Sequence, residues 1–424
     1  MKLLSRYVTF RVVAKIAADA GGKAAMLVIT IVAARQLNPD PFAILALAMA
    51  TGWLLGVATD AGLSMHLARE TARGGVIGGV SDAQRGRQFV LEIVSLRAGL
   101  AFLAATITVL ATPYIVPRHW RMQFVLVVLV QLCGAVIETV AHYFRGLQRS
   151  EIESAIHIAH RLTTLALALA VLWWWRRLDY LAIAMLMPAA IAMLVSIGIA
   201  LSLSGSREPV SPGTGLSPRE FLIHVFPLGA AALLSALYFR IDVYFIQQWH
   251  GFQPVGGYNA AFRLVEALRL LPAAVMAVTF PLLVQTRDIE LIRKIGGALG
   301  AAGLALAVIC AAGAPIIIPF IYGDFYAFAS PAFAVLALAL PLFFLNYALT
   351  HQVIGWDGQR AYLAIVTLAL AANIGANLLL VPSRGIVGAA IATVLTELIV
   401  TAGCLYTLAR HEMVIGRLAG DSPS

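Results

Sequence analysis

Long segments without a charged residue constrain what this chain can fold into more than any other feature. Ile295–Tyr322, Pro331–Leu349 and Ala361–Val381 contain no charged residue, and each meets or approaches the ~20 apolar residues that a helix needs to cross a bilayer. Over the whole chain, 61% of residues are hydrophobic and 12% are charged, whereas a soluble domain is about half apolar and roughly a quarter charged. Because an unpaired backbone group in hydrocarbon costs several kcal/mol, these segments must be helices rather than open strands. We therefore predict an all-α membrane protein.

The apolar segments predict about twelve transmembrane helices. The predicted spans are Val13–Ala34, Phe42–Met65, Phe89–Ala111, Met122–Phe144, Ser154–Trp174, Tyr180–Leu203, Phe221–Trp249, Tyr258–Val284, Ile292–Ile321, Pro331–Gln352, Ala361–Val381 and Ile386–Ala409. Residues 204–220 are rich in serine, glycine and proline, and this composition is typical of a linker. We expect an N-terminal six-helix lobe over residues 1–203, a cytoplasmic linker over 204–220 and a C-terminal six-helix lobe over 221–424. A weak internal repeat favours two parallel repeats around a central cavity.

Basic residues predict the orientation in the membrane. With the N-terminus inside, most arginines and lysines of the loops fall on the cytoplasmic side, as the positive-inside rule requires, and both termini are cytoplasmic. The arginines that fall outside are Arg35, Arg118, Arg121, Arg176, Arg177 and Arg384. Much of the net charge of +9 is explained by this topology and by attraction to anionic lipid, so it does not indicate nucleic-acid binding.

Charged residues in the seventh and eighth spans are candidates for function. Arg240 and Asp242 lie in the seventh span, and Arg263, Glu266 and Arg269 follow at every third position in the eighth. Each costs at least ~2.5–3.5 kcal/mol in hydrocarbon, so such side chains tend to face the bundle interior or a wet cavity. One interpretation is a cationic lining, with the carboxylates setting its field, that binds phosphate through planar guanidinium groups. The alternative is interhelical ion pairing, for example of Asp242 with Arg263.

The first half contains charged counterparts. Lys15, Asp19 and Lys23 lie on one face of the first predicted helix, because they are spaced at i, i+4 and i+8. Lys15 and Lys23 could continue a positive lumen, or Asp19 could neutralise them. Arg97 lies in the third span, and Asp60 ends the second.

A histidine and a glutamate in the fourth span are candidates for ion coupling. Glu138 and His142 are one helical turn apart, and histidine exchanges protons near neutral pH. One hypothesis is a proton-coupling site; the alternative is a hydrogen-bonded pair in the core.

No motif of an enzyme stands out. The sequence has no Gly-rich phosphate loop, no HExxH and no nucleophile elbow. Cys133, Cys310 and Cys404 lack metal-ligand spacing, and they are best interpreted as small hydrophobic residues of the core. We expect no catalysis, no cofactor and no metal. The energy for transport should come from an ion gradient, the membrane potential or the gradient of the substrate.

Several motifs together resemble a known family. They are Arg35-Gln-Leu-Asn-Pro39 with Phe42, Asp60-Ala-Gly-Leu63 with Arg69-Glu70, Arg240-Ile-Asp242, the run from Gly257 to Glu266, and Phe280-Pro281. In this order they resemble the polysaccharide (O-antigen type) flippases of the multidrug/oligosaccharidyl-lipid/polysaccharide exporter superfamily, nearly end to end.

The resemblance implies two lobes around a cationic cavity and transport by alternating access. The expected substrate is a polyprenyl-diphosphate-linked oligosaccharide, moved from the cytoplasmic to the outer face of the bacterial inner membrane for polysaccharide biosynthesis. Membrane lipids and a polysaccharide polymerase or chain-length proteins are the expected partners. An ion-coupled small-molecule antiporter of the multidrug type shares this architecture and stays open as the alternative, as does a scaffold for polymerase partners.

Overall fold

Helices account for all regular structure in the part of the chain that the structure describes. This computed structural model describes residues 21–74, 83–204, 226–286, 289–356 and 358–420. The helices are α1 (residues 21–36), α2 (Pro39–Ala58), α3 (Leu63–Gly74), α4 (Ala83–Ile115), α5 (Arg121–Gly146), α6 (Ser150–Trp174), α7 (Leu178–Ser204), α8 (Phe226–Arg240), α9 (Asp242–His250), α10 (Phe252–Leu268), α11 (Leu270–Thr286), α12 (Ile289–Tyr322), α13 (Ser330–Ala337), α14 (Leu340–Gly355) and α15 (Gln359–Gly420). Short 3-10 helices cover Arg118–Trp120 and Asp324–Ala329. The predicted all-α class is confirmed.

Many of these helices are suited to a membrane. Within the described ranges, 8 helices are long and apolar enough to cross a bilayer, or 9 if a bent pair counts as one span. Five predicted spans each lie within one helix, namely α4, α5, α6, α7 and α12, and the last two lie before and after Gly385 in α15. The protein is therefore a multi-pass membrane protein, and the total of twelve spans stays a prediction.

Four other predicted spans, the second, seventh, eighth and tenth, each divide into two helices, and a proline explains two of these breaks. The second span divides at residues 59–62, between α2 and α3. The eighth span divides at Arg269 into α10 and α11, and the tenth bends by 44° between α13 and α14. Pro272 and Pro341 explain these two breaks, because a proline has no N–H to donate to the carbonyl four residues earlier. Those carbonyls belong to the last residues of α10 and α13.

The seventh predicted span also divides, between α8 and α9. Ile241, between the two helices, keeps right-handed helical backbone angles, with φ −68° and ψ −25°. The N–H of Val243 donates to Oδ1 of Asp242 at 2.9 Å, so this carboxylate accepts from the first turn of α9.

The long helix α15 is interrupted at Gly385, which separates the last two predicted spans. Gly385 has φ 54° and ψ −134°, a conformation that glycine adopts readily and other residues rarely. The carbonyl of Val381, four residues earlier, is bonded instead to Nε2 of His250 at 2.7 Å.

The chain forms two compact units, Met1–Gly229 and Ala230–Ser424. In the first, a core cluster gathers side chains of α3, α4, α5 and α7, among them Leu67, Val90, Phe144 and Ala200. In the second, α12 packs closely on α14 at Gly303, where an added Cβ would lie 2.7 Å from Cα of Pro341. The linker predicted over 204–220 lies almost wholly outside the described residues, so the lobe boundaries stay a prediction.

Candidate functional site

Two arginines converge on one carboxylate in the second unit. Nη2 of Arg240, the last residue of α8, lies 2.9 Å from Oε2 of Glu266, and Nη1 of Arg263 lies 2.8 Å from the same oxygen. Glu266 and Arg263 are three residues apart on α10, so they share a face. The side chain of Arg240 is 5% exposed, and that of Glu266 is 34% exposed. The carboxylate is therefore the more accessible member of this arginine–glutamate cluster.

Aromatic rings hold the third arginine. The guanidinium carbon of Arg269 lies 4.4 Å from the ring centre of Phe239 and 4.5 Å from that of Phe343. Arg240 likewise lies over Phe262 at 4.6 Å. Rings at this distance attract a cation through their quadrupole, and a planar guanidinium can stack on an aromatic ring, which an ammonium cannot.

Asp242 belongs to a different set of contacts. It is 1% exposed and accepts a hydrogen bond from the hydroxyl of Tyr258 as well as from the N–H of Val243. The Tyr258 hydroxyl also lies 3.3 Å from Oγ1 of Thr393. Interhelical ion pairing, the alternative considered above, does occur, but it joins Arg240 to Glu266 and not Asp242 to Arg263, because Arg263 pairs with Glu266.

The sequence analysis missed a buried glutamate. Glu397, in α15, is 3% exposed and accepts from Nδ2 of Asn346 at 2.7 Å, and it interacts electrostatically with Arg269. It is the one charged residue in the predicted span Ile386–Ala409, and that isolation could have identified it. With Asp242 and Glu266, it supplies as many formal negative charges as the three arginines supply positive ones.

Arg97 and Asp60 stabilise turns in the first unit. Arg97 is 2% exposed; it donates from Nη1 to Oγ1 of Thr59 at 2.6 Å and from Nη2 to the carbonyl of Gly56 at 2.7 Å. These groups belong to the C-terminal end of α2, where carbonyls lack helical partners and a positive charge is favourable. Asp60 accepts from the N–H of Gly62 at 3.2 Å and from the hydroxyl of Ser64.

Of the three candidates on the first predicted helix, one lies among the described residues. Lys23 is exposed in α1. Lys15 and Asp19 lie outside the described residues.

Glu138 and His142 do meet, in a larger charged network. Nδ1 of His142 lies 2.9 Å from the carbonyl of Glu138, and its Nε2 lies 3.0 Å from Nη1 of Arg145. Arg145 donates to Glu138 at 2.7 Å and to the buried Glu153 of α6 at 2.8 Å. These contacts favour the hydrogen-bonded pair over a proton-coupling site.

Comparison with solved structures shows which fold the chain has. A multidrug resistance MATE family transporter of the MOP superfamily, solved in an inward-facing conformation, matches with a TM-score of 0.71 and 15% identity over 95% of this chain and 96% of that one. The lipid II flippase MurJ, solved in an inward closed conformation, matches with a TM-score of 0.72 and 12% identity over 92% and 86%. A mutant of the Vibrio cholerae MATE transporter VcmN matches at 0.57 and 12% over 95% and 94%. The chain thus has the fold of MOP-superfamily transporters.

Sequence comparison then shows the family. A family model described as polysaccharide biosynthesis protein matches residues 13–287, more than half of the chain. The chain belongs to this family of polysaccharide biosynthesis proteins, which confirms the resemblance drawn from its motifs. No curated protein sequence matches it.

Proposed function

We propose that the protein is a flippase that moves a polyprenyl-diphosphate-linked oligosaccharide from the cytoplasmic to the outer face of the bacterial inner membrane. Membership of the polysaccharide biosynthesis family and the fold of a MOP-superfamily transporter support a lipid-linked substrate. The observation that carries the proposal is the convergence of Arg240 and Arg263 on one oxygen of Glu266. Both termini are cytoplasmic in this proposal, and a polymerase or chain-length protein receives the product.

The arginine–glutamate cluster has the geometry that a phosphate oxygen requires. Phosphate oxygens, like carboxylate oxygens, accept charge-assisted hydrogen bonds from guanidinium groups at about 2.7–2.9 Å. Arg240 and Arg263 already meet this requirement for Glu266. A diphosphate that enters can therefore replace the carboxylate without moving either guanidinium far.

Glu266 sets the field of this site in the proposed mechanism. Its carboxylate keeps the two arginines paired when no substrate is bound, since unpaired charges in a low-dielectric interior are costly. When the diphosphate binds, Glu266 turns towards the more open side, where 34% of its side chain is already exposed. When the diphosphate leaves by alternating access, Glu266 returns and restores the empty state. The polyprenyl tail stays in the bilayer throughout.

Deletion of the gene tests the substrate. The expected result is the build-up of one polyprenyl-diphosphate oligosaccharide on the cytoplasmic leaflet, restored to normal by the wild-type gene. Arg240→Ala and Arg263→Ala should fail to restore it, while the exposed Arg360→Ala serves as the matched control. Normal transport by both well-folded site variants would contradict the arginine mechanism.

The role of Glu266 has its own test. Glu266→Gln keeps the size of the side chain but removes the charge that competes with the substrate. We expect tighter binding of a polyprenyl diphosphate to the purified variant and slower release, seen as a lower turnover. Weaker binding by Glu266→Gln would mean that the carboxylate helps to bind the substrate rather than competing with it for the two arginines.

The fold shared with MATE transporters keeps a second function open, an ion-coupled antiporter of small molecules. The same deletion distinguishes the two functions. Normal lipid-linked sugars together with altered sensitivity to cationic drugs would support the antiporter.

A further inference from the structure

One end of the α6–α7 hairpin presents tryptophans and arginines together at the surface. The side chains of Trp173, Trp174 and Trp175 are 72%, 70% and 55% exposed, and Arg176 and Arg177 follow as exposed residues. We call these five residues and Tyr180 the Trp–Arg patch. In a membrane protein, exposed tryptophans at the end of a span lie at the level of the lipid headgroups.

Bonds within the hairpin give the patch a fixed shape. Nη2 of Arg177 donates to Oδ2 of Asp179 at 2.7 Å, and its guanidinium lies 5.5 Å from the ring centre of Tyr180. The ring of Trp175 lies 5.8 Å from that of Tyr180. The second oxygen of Asp179 accepts from Nε2 of Gln123 in α5.

The bond from Gln123 brings a second basic turn beside the patch. Arg118 begins the short 3-10 helix between α4 and α5, and Arg121 is the first residue of α5. Nη2 of Arg121 donates to the carbonyl of Pro113 at 3.1 Å. The two turns together carry these arginines, Arg176 and Arg177 against the single carboxylate of Asp179. Four of the six arginines on the predicted external side are therefore gathered here, against the usual bias towards the cytoplasm.

The backbone at Arg176 is strained in a way that favours a role for its side chain. The N–H groups of Trp175 and Arg176 both donate to the carbonyl of Val171, and Arg176 has φ 51°. Glycine is the usual residue for a left-handed conformation at the end of a helix. No ion pair of Arg176 is found within the described parts of the chain, so its positive charge is available to a ligand.

We propose that the Trp–Arg patch is a binding site for the anionic headgroups of membrane phospholipids. The tryptophan rings place the site at headgroup depth, and the excess of arginines supplies the charge that attracts a lipid phosphate. Arg176 makes the direct contact, while Arg177 is positioned by Asp179. The patch shares no residue with the arginine–glutamate cluster, and its occupant does not depend on the substrate that is transported.

Tryptophan quenching by brominated lipids tests this site, because the patch holds three of the 7 tryptophans of the chain. The full-length protein is placed in phosphatidylcholine bilayers that contain increasing fractions of brominated phosphatidylglycerol or brominated phosphatidylcholine. We expect half-maximal quenching at a lower fraction of the anionic lipid, and a smaller difference at high salt. Equal quenching by the two lipids would overturn the proposal.

Variants separate lipid binding from structure. Arg176→Gln should reduce the preference for the anionic lipid by roughly fivefold, the effect of one basic residue at an anionic surface. Arg384→Gln, an exposed arginine outside the patch, should leave the preference unchanged. Arg176→Gly should reduce the preference by the same factor and yet unfold at the same or a higher temperature, because glycine adopts the left-handed conformation without strain. An undiminished preference in Arg176→Gly would show that the arginine does not bind lipid.

Discussion

At the scale of the residue, two phenyl rings determine how Arg269 can act. Its guanidinium carbon lies 4.4 Å from the ring centre of Phe239 and 4.5 Å from that of Phe343, so the two rings limit the directions from which a carboxylate or a phosphate can approach it. Arg240 and Arg263 differ, because their edges are already bonded to Glu266. The three arginines are therefore not interchangeable, although the sequence presents them as one basic group.

Replacement of Arg269 by lysine tests the stacking. Lys keeps the charge near Glu397 but cannot present a planar group to two rings. We expect Arg269→Lys to lower stability by ~1–2 kcal/mol, the magnitude of a desolvated cation–π contact, measured as a lower midpoint of thermal unfolding in detergent. Arg360→Lys, at an exposed position, is the control. An unchanged midpoint for Arg269→Lys would show that charge alone matters.

The charged residues of the site could be predicted from the sequence, but their partners could not. A charge within an apolar segment stands out, and this identified Arg240, Arg263, Glu266 and Arg269. The bond from Arg240 to Glu266 joins residues 26 positions apart, and nothing in the local pattern of either helix specifies it. Glu397 and Asn346 meet across 51 positions for the same reason.

At the scale of the element, the apolar pattern predicts where a span lies but not where it breaks. The breaks at Arg269 and before Pro341 could have been found by counting back four residues from the proline. The turn at Ile241 has no such signal, because the helix that follows it contains no proline. Local geometry there depends on Asp242, whose carboxylate bonds to the next N–H.

Gly385 provides a test of the break in α15. An added Cβ would lie 3.8 Å from His250, which is ordinary contact, so any cost of Gly385→Ala comes from the backbone conformation. We expect a loss of ~1–3 kcal/mol in stability, the cost of a residue held in a sparsely populated region. Thermal unfolding measures the change, and Gly375→Ala, with open space around its Cβ, is the control. Equal stability would mean that α15 straightens at little cost.

Two glycines one turn apart on α12 test its packing on α14. A Cβ at Gly303 would lie 2.7 Å from Cα of Pro341, while a Cβ at Gly300 meets nothing within 4 Å. Gly303→Ala should destabilise by ~1–3 kcal/mol, because the backbone of α14 must move away. Gly300→Ala should stabilise by ~0.5–1 kcal/mol through helix propensity. Opposite shifts of the unfolding midpoint are expected, and shifts of the same sign would contradict the close contact.

At the scale of the whole molecule, orientation is the prediction with the widest consequences. The loop arginines place one set of turns outside and the other inside, and the exposed residues Arg118 and Arg384 belong to the first set while Arg360 belongs to the second. The apolar length of the segments was sufficient to predict a membrane protein, because hydrocarbon admits few other folds. It could not give the number of spans, since short helices such as α13 and α14 are long and apolar enough to cross a bilayer only when they are taken together.

Cysteine labelling from outside tests the orientation. Single cysteines are placed at positions 118, 384 and 360 of a variant that lacks Cys133, Cys310 and Cys404. An impermeant maleimide should label positions 118 and 384 in spheroplasts, and position 360 only after the membrane is opened. The reverse pattern would invert the topology, and with it the proposed direction of transport.

The double pairing of Glu266 has a consequence for selectivity. A tethered carboxylate has an effective concentration in the millimolar range or above, so a soluble cytosolic anion such as orthophosphate or a nucleotide must compete with it for Arg240 and Arg263. A diphosphate anchored in the bilayer is itself confined to the membrane plane and is presented at high local concentration. Under the proposed function, the unloaded transporter therefore resists a leak of cytosolic anions without a gate dedicated to that task.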